Sequence, residues 1–250
     1  MLKQVIKKSK NNVKRIIREL SANVKVKMWR FAGLEKRIRY SNYEVDKTLK
    51  NTDLFFIIST GRSGTQLMSS LLNKIDNTLV LHEPDFHYDV EALPKSKDSD
   101  EYSLRYIREF RKYSIYERIV SQKVSCYGEV TGTLRYNIHA IQKLFPEVKV
   151  IFMVRDARDV IRSVWRYNFY NKGCRGAFNL TPQADDPYHR SWKSMTRFEK
   201  ICLSWSSSLN AVLKHIPLDN VFKYEKMICD YEYFCKKILT HLGLSMDKKT

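Results

Sequence analysis

The sequence predicts an α/β fold, a three-layer α/β/α arrangement around a central parallel sheet, with a basic helical N-terminal extension. Three observations point there. Short continuous apolar runs, "LFFIIS" and "KVIFMV", have the length of strands buried on both faces. Each is followed by a segment with helical apolar spacing, and strands alternating with helices argue for a parallel sheet. Finally, 250 residues that are 43% hydrophobic suffice for one sizeable core.

In order along the chain, Val13, Ile16, Ile17 and Leu20 follow helical spacing with Lys14, Arg15 and Arg18 on other faces. Trp29, Phe31, Leu34 and Ile38 form a second apolar group suited to docking on the main domain. The domain boundary is expected near residue 50, giving an extension over 1–50 and an α/β domain over 51–250. Strand 54–59 leads through "TGRSG" into a helix carrying Met68, Leu71, Leu72 and Ile75 on one face. "TLVLH" (78–82) reads as a strand and "DSDEYSLRYIREFRKYSIYERIV" as a charged helical region. A strand is expected near 124–130, a helix from Ile138 to Phe145, and a buried strand over 149–154. "RDVIRSVWRYNF" reads as the next helix, 171–194 as a long loop, and Phe198 to Ile216 as one long helix whose apolar face places Trp205 in the core. "VFKYE" reads as a last strand, and 231–242 as a last helix.

The net charge of +18 is uneven, with +11 held in residues 1–50. The rest is a moderately basic domain suited to anionic ligands, and the extension suits an anionic membrane surface. No aromatic-rich nucleic-acid motif accompanies the charge, so no nucleic-acid partner is expected. Lysines break every apolar stretch of the first twenty residues, so no signal peptide is expected, and no apolar run reaches the length of a bilayer. Five scattered cysteines without a C-x-x-C pair suggest reduced thiols and no metal. The expectation is a cytoplasmic protein, soluble or peripheral at a membrane.

The strand–turn–helix at 54–75 is laid out like a phosphate-binding loop, yet Thr65 and Gln66 stand where a nucleotide-triphosphate loop carries its lysine. Gly61 and Gly64 permit the turn, helix-start amides and the helix dipole favour an anion, and Arg62 adds a permanent charge. Arg62, Ser63, Gly64, Thr65 and Gln66 are therefore candidate anion ligands without a metal. At the end of strand 149–154, Arg155 and Ser163, eight residues later, are suited to a second phosphate, since open α/β sheets bind ligands beyond strand ends.

"FIISTGRSGTQLM" resembles the 5′-phosphosulfate loop of sulfotransferases that use 3′-phosphoadenosine 5′-phosphosulfate (PAPS). "RDARDVIRS" is similar to their 3′-phosphate motif and "FKYEKM" to their late R-Y-E-D-L element. The three occur in family order. Ala157 replaces a usual proline, Lys223 and Lys226 alter the late element, and "GEVTG" lacks the lysine of the related E-K-T-P segment. The resemblance implies a P-loop-like fold and PAPS as donor, its phosphosulfate on the glycine turn and its 3′-phosphate on Arg155 and Ser163. Tyr224 is a candidate to pack beside the adenosine, with a buried strand tyrosine as the alternative. "HEP" at 82–84 resembles the E-P of carbohydrate sulfotransferases, and the spacing from Arg62 to Glu83 is similar to that in tyrosylprotein sulfotransferases. Glu83 is thus the expected general base, with His82 the alternative. The acceptor would be a hydroxyl of a glycan, glycolipid, phenol or peptide tyrosine. A kinase with a degenerate loop and a non-catalytic anion- or membrane-binding module are the competing readings.

Overall fold

A computed structural model describes residues 29–171 and 180–245. The helix expected around Val13 to Leu20, and residues 172–179 of the expected long loop, lie outside the described residues. Five strands form one sheet of order β2-β3-β1-β4-β5: β1 (Asp53–Ser59), β2 (Thr78–His82), β3 (Cys126–Thr131), β4 (Lys149–Val154) and β5 (Val221–Lys223). All neighbouring pairs are parallel. β1 is central, and its apolar run is explained by burial on both faces. Leu54, Phe56 and Ile58 join one core; Phe55 and Ile57 join the other.

The first core is covered by a helix over residues 29–39 (α1), α2 (Asn42–Lys50), α4 (Phe86–Asp98), α5 (Asp100–Tyr106), α6 (Lys112–Gln122), α7 (Ile138–Leu144) and α9 (Arg197–Leu213). The second is covered by α3 (Thr65–Leu72) and by the C-terminal helical run, α10 (Tyr224–Cys229), α11 (Tyr231–Tyr233), a π turn (Phe234–Leu239) and α12 (Thr240–Leu242). This is the three-layer architecture. Helix α8 (Ala157–Trp165) follows β4. The register pairs Ile58 with Thr131 and Ser59 with Met153, so the carboxyl ends of β1, β3 and β4 lie together.

Several local expectations change. Residues 86–98, to which the sequence reading gives no element, form α4 with Pro94 inside it; a proline removes one helix hydrogen bond, and burial of Ala92 and Leu93 offsets that loss. The last strand stops at Lys223, and Tyr224 opens α10 instead of extending the strand. The helix after β4 ends at Trp165, where Arg197 donates to the carbonyls of Trp165, Tyr167 and Phe169. In α1, Trp29 alone of the four apolar residues is buried, against Tyr102, Tyr106 and Phe110. Phe31, Leu34 and Ile38 face solvent. α5 and α6 are one helical run interrupted by a π turn over Ile107–Arg111, which leaves Arg111 fully buried.

Candidate active site

The turn after β1 has a left-handed backbone at three positions, Gly61 (φ 82°), Arg62 (φ 56°) and Gly64 (φ 81°). Glycine adopts this region freely, whereas arginine does so at a cost. Local side chains hold the turn: Ser59 Oγ accepts from the Gly61 amide at 3.1 Å, and the buried Ser63 hydroxyl donates to the Gly61 carbonyl at 3.1 Å. Ser63 thus shapes the turn from within. Gly64 is the N-cap of α3 and no side chain caps that helix, so its first-turn amides, which have no intrahelical acceptor, remain for an anion. The Gln66 side chain is exposed. A Cβ on Gly64 would overlap the ring of Tyr224, which closes one side of the turn.

Arg155, just past the end of β4, lies with its guanidinium 4.9 Å from the centre of the Tyr224 ring and donates to the Arg62 carbonyl at 3.3 Å. Among the described residues its buried Nε has no hydrogen-bond partner, nor has Thr60 Oγ1 in the turn. Ser163, on α8, meets Arg62: Arg62 Nε donates to Ser163 Oγ at 3.0 Å while its guanidinium lies 4.8 Å from the Tyr167 ring centre. Among the described residues the Nη nitrogens of Arg62 make no hydrogen bond. Residues of two sequence segments about 100 positions apart therefore share one cationic crevice. Asp156 caps α8 and its amide donates to Glu225 Oε1 at 2.8 Å, fastening the β5–α10 junction to the end of β4.

Opposite this crevice, β2 ends at His82, and Glu83 follows in the turn beyond it. His82 Nε2 is 2.9 Å from Thr65 Oγ1, so the histidine is tied to the start of α3. Glu83 has φ 44°, a conformation costly for a non-glycine residue. Its Oε1 accepts from the Gly132 amide at 3.1 Å. The Gly132 carbonyl in turn accepts from Arg135 at 2.6 Å, and a Cβ on Gly132 would sit 3.1 Å from the Gly61 nitrogen. One peptide plane thus spaces Glu83 from the anion turn.

Beneath Glu83 lies a buried charge cluster that the sequence reading did not find. Arg111 pairs with Asp85 and Glu129, and its Nε lies 3.3 Å from Asp89 without a hydrogen bond. Arg118 grips Asp85 through two bonds at 2.8 and 2.9 Å. Tyr106 donates to Asp89 at 2.7 Å and Tyr127 to Glu129 at 2.6 Å. Three carboxylates thus face two guanidinium groups. Burial first, and then the charge of Glu129, push the Asp89 carboxyl well above its ordinary range. Since Asp85 is two residues from Glu83, this cluster fixes the turn that presents it.

Anion turn and Glu83 open on one cleft, a cavity of about 240 Å³ whose far wall includes Tyr167, Phe169, Tyr170, Trp205 and Ser208. Trp205 therefore faces the cleft rather than the core, and its buried Nε1 has no hydrogen-bond partner among the described residues. Arg62, Glu83 and Tyr170 line the cleft and are three of the five described non-glycine residues with positive φ. Among the described residues no group of three or more His, Cys, Asp or Glu is arranged to hold a metal.

A model of the sulfotransferase domain family matches residues 52–250. No curated protein sequence matches significantly. Among solved structures, the chain is similar to a sulfotransferase from Mycobacterium tuberculosis H37Rv, at 12% identity and a TM-score of 0.53, over 87% of this chain and 74% of that one. It also aligns with a sulfotransferase domain from the curacin biosynthetic pathway (13%, TM-score 0.49, 78% and 75%). A sulfotransferase from Alicyclobacillus acidocaldarius aligns at 13%, TM-score 0.48, over 77% and 81%. At these identities the first likeness bears on fold alone.

Proposed function

We propose, from the premise that this chain belongs to the sulfotransferase domain family, that it transfers a sulfuryl group from PAPS to a hydroxyl of a glycan or glycolipid. One observation carries the reading. Arg62, Arg155 and Ser163 converge on a single crevice at the ends of β1 and β4, with a carboxylate, Glu83, across the cleft. The fit to the donor rests on unspent hydrogen-bond capacity: the first-turn amides of α3, the Nη groups of Arg62, Thr60 Oγ1 and Arg155 Nε. Arg155, Ser163 and Tyr224 would hold the 3′-phosphoadenosine end; Arg62, Ser63, Gly64, Thr65 and Gln66 form the turn for the phosphosulfate, Gln66 through its amide.

The bound donor supplies the sulfuryl group, whose bond to the phosphate oxygen breaks as the acceptor oxygen bonds to sulfur. Glu83 takes the acceptor's proton on Oε2, since Oε1 is held by the Gly132 amide. His82, fixed to Thr65, is the alternative base. Arg62 and the amides of α3 stabilise charge on the departing phosphate. Without a lysine after Gly64, the turn is poorly suited to a magnesium-bound triphosphate, which sets aside the kinase reading. The aromatic wall of Tyr167, Tyr170 and Trp205 beside Ser208 and Arg135 suits a sugar ring, stacking on its apolar face and bonding its hydroxyls. The four described cysteines are free, in keeping with a cytoplasmic setting.

Incubation with PAPS and a panel of glycans, glycolipids and phenols, in the presence of a chelator, tests the proposal. A sulfate ester is expected, formed by the native chain and lost in Arg62→Ala, with a fall of roughly 100-fold or more in kcat. Near-native turnover by Arg62→Ala removes the turn from the mechanism.

A further inference from the structure

Helix α1 carries apolar residues on two opposite sides. Trp29, Gly33, Lys36 and Tyr40 lie on the docked side: Trp29 is fully buried, a Cβ on Gly33 would overlap the backbone of Glu109, Lys36 pairs with Glu117, and Tyr40 packs against Tyr116. At 3.6 residues per turn, Phe31, Leu34 and Ile38 fall within an arc of about 60° on the opposite side. They are 66%, 45% and 78% exposed. Arg30 and Arg37, both exposed, flank one edge of this stripe, and on the other Glu35 is neutralised by Arg39 at 2.6 Å. An aromatic and two branched aliphatic side chains in water, on a helix already anchored by its other face, are not explained by the fold.

We propose that this stripe is a docking surface for an anionic lipid bilayer, with Phe31, Leu34 and Ile38 entering the acyl boundary and Arg30 and Arg37 lying at the headgroups. Charge selects the occupant. The 28 residues that lead into α1 carry nine Lys/Arg against one Glu, so folding them back over the stripe would bring like charges against Arg30 and Arg37. A negatively charged surface is complementary to both, and basic helices with an apolar face bind such interfaces. A second copy of the chain is a poorer occupant, because a stable dimer covers about 800 Å² per partner and the stripe has three side chains. Nucleic acid offers phosphates but no apolar phase for the stripe. Among the described residues no helix is long and apolar enough to cross a membrane. With its other face docked on the protein, α1 would lie along the bilayer surface.

The proposal is independent of sulfotransfer, and its test separates the two. The full chain is sedimented with phosphatidylcholine vesicles with and without phosphatidylserine, beside the variant Phe31→Gln/Leu34→Gln/Ile38→Gln. The native chain should bind only the serine-lipid vesicles, and less at high salt. The triple variant should bind at least tenfold less, with unchanged melting temperature and unchanged turnover of a soluble acceptor. In a Phe31→Trp chain, the difference emission against the native chain should shift blue on those vesicles. Equal binding by the triple variant, or emission that stays red on vesicles, overturns the proposal. So does a native dimer that the triple variant converts to monomer, which would give the stripe to a second copy. Emission already blue without vesicles would give it to residues 1–28.

Discussion

Replacing Gly64 by alanine tests whether the Tyr224 ring closes the anion turn as described. The substitution carries two costs. At φ 81° a Cβ sits in the left-handed region, which costs an L residue roughly 1–2 kcal/mol. The same Cβ overlaps the Tyr224 ring, and overpacking of this kind costs about 1–3 kcal/mol when the neighbour must move. Together they give about 2–5 kcal/mol, and in a domain of this size each kcal/mol lowers Tm by roughly 2–4 °C. Displacing the ring also removes the surface on which Arg155 rests, so binding of 3′-phosphoadenosine 5′-phosphate should weaken with it. The assay is a double-mutant cycle with Tyr224→Ala, read by thermal unfolding and by calorimetric titration of that nucleotide. With the ring gone only the backbone cost remains, so Gly64→Ala should cost about 1–3 kcal/mol less in the Tyr224→Ala background. Equal costs in both backgrounds would refute the contact, and with it the placing of Tyr224 beside the donor.

Glu83→Gln should lower kcat by roughly 100- to 10,000-fold while leaving the affinity for 3′-phosphoadenosine 5′-phosphate unchanged; unchanged kcat would pass the base role to His82. Arg111→Met leaves three buried carboxylates without their shared cation and should cost about 3–5 kcal/mol in denaturant unfolding; a neutral result would contradict the buried cluster. Asp89 supplies a pH test. Its carboxyl holds a proton more tightly folded than unfolded, so its stabilising contribution is complete below the ordinary value of 3.8 and is lost as pH rises through the raised folded value. Asp89→Asn should therefore gain Tm relative to the native chain as pH rises from about 4 to 8, and a relative loss over that range would reverse the sign.

The parts of this fold that were legible in the sequence are those where one physical demand dominates. β1 and β4 are buried on both faces, so only apolar residues satisfy them, and their runs are unbroken. The glycine turn is legible because a left-handed backbone demands Gly61 and Gly64. Where two demands compete, reading fails. In "VFKYE" the strand propensity of Tyr224 conceals a helix start. The region 98–120 reads as a charged helical region, yet a π turn carries Arg111 inside to meet Asp85, Asp89 and Glu129, each 18 or more residues from it in sequence. Trp205 keeps helical spacing with core residues, and only the tertiary placement of α9 opens that position to the cleft. Arg62 meeting Ser163 follows from β1 and β4 being neighbours, a consequence of strand order that no single motif encodes.

The central claim is that the crevice holds the two ends of an adenosine donor without a divalent cation. The most direct measurement is calorimetric titration, with chelator present, of 3′-phosphoadenosine 5′-phosphate against adenosine 5′-phosphate, on the native chain and on Arg155→Ala. The account predicts that the 3′-phosphate tightens binding at least tenfold in the native chain and that Arg155→Ala abolishes this difference. Equal affinity for the two nucleotides in the native chain, or binding that appears only when magnesium is added, would contradict it.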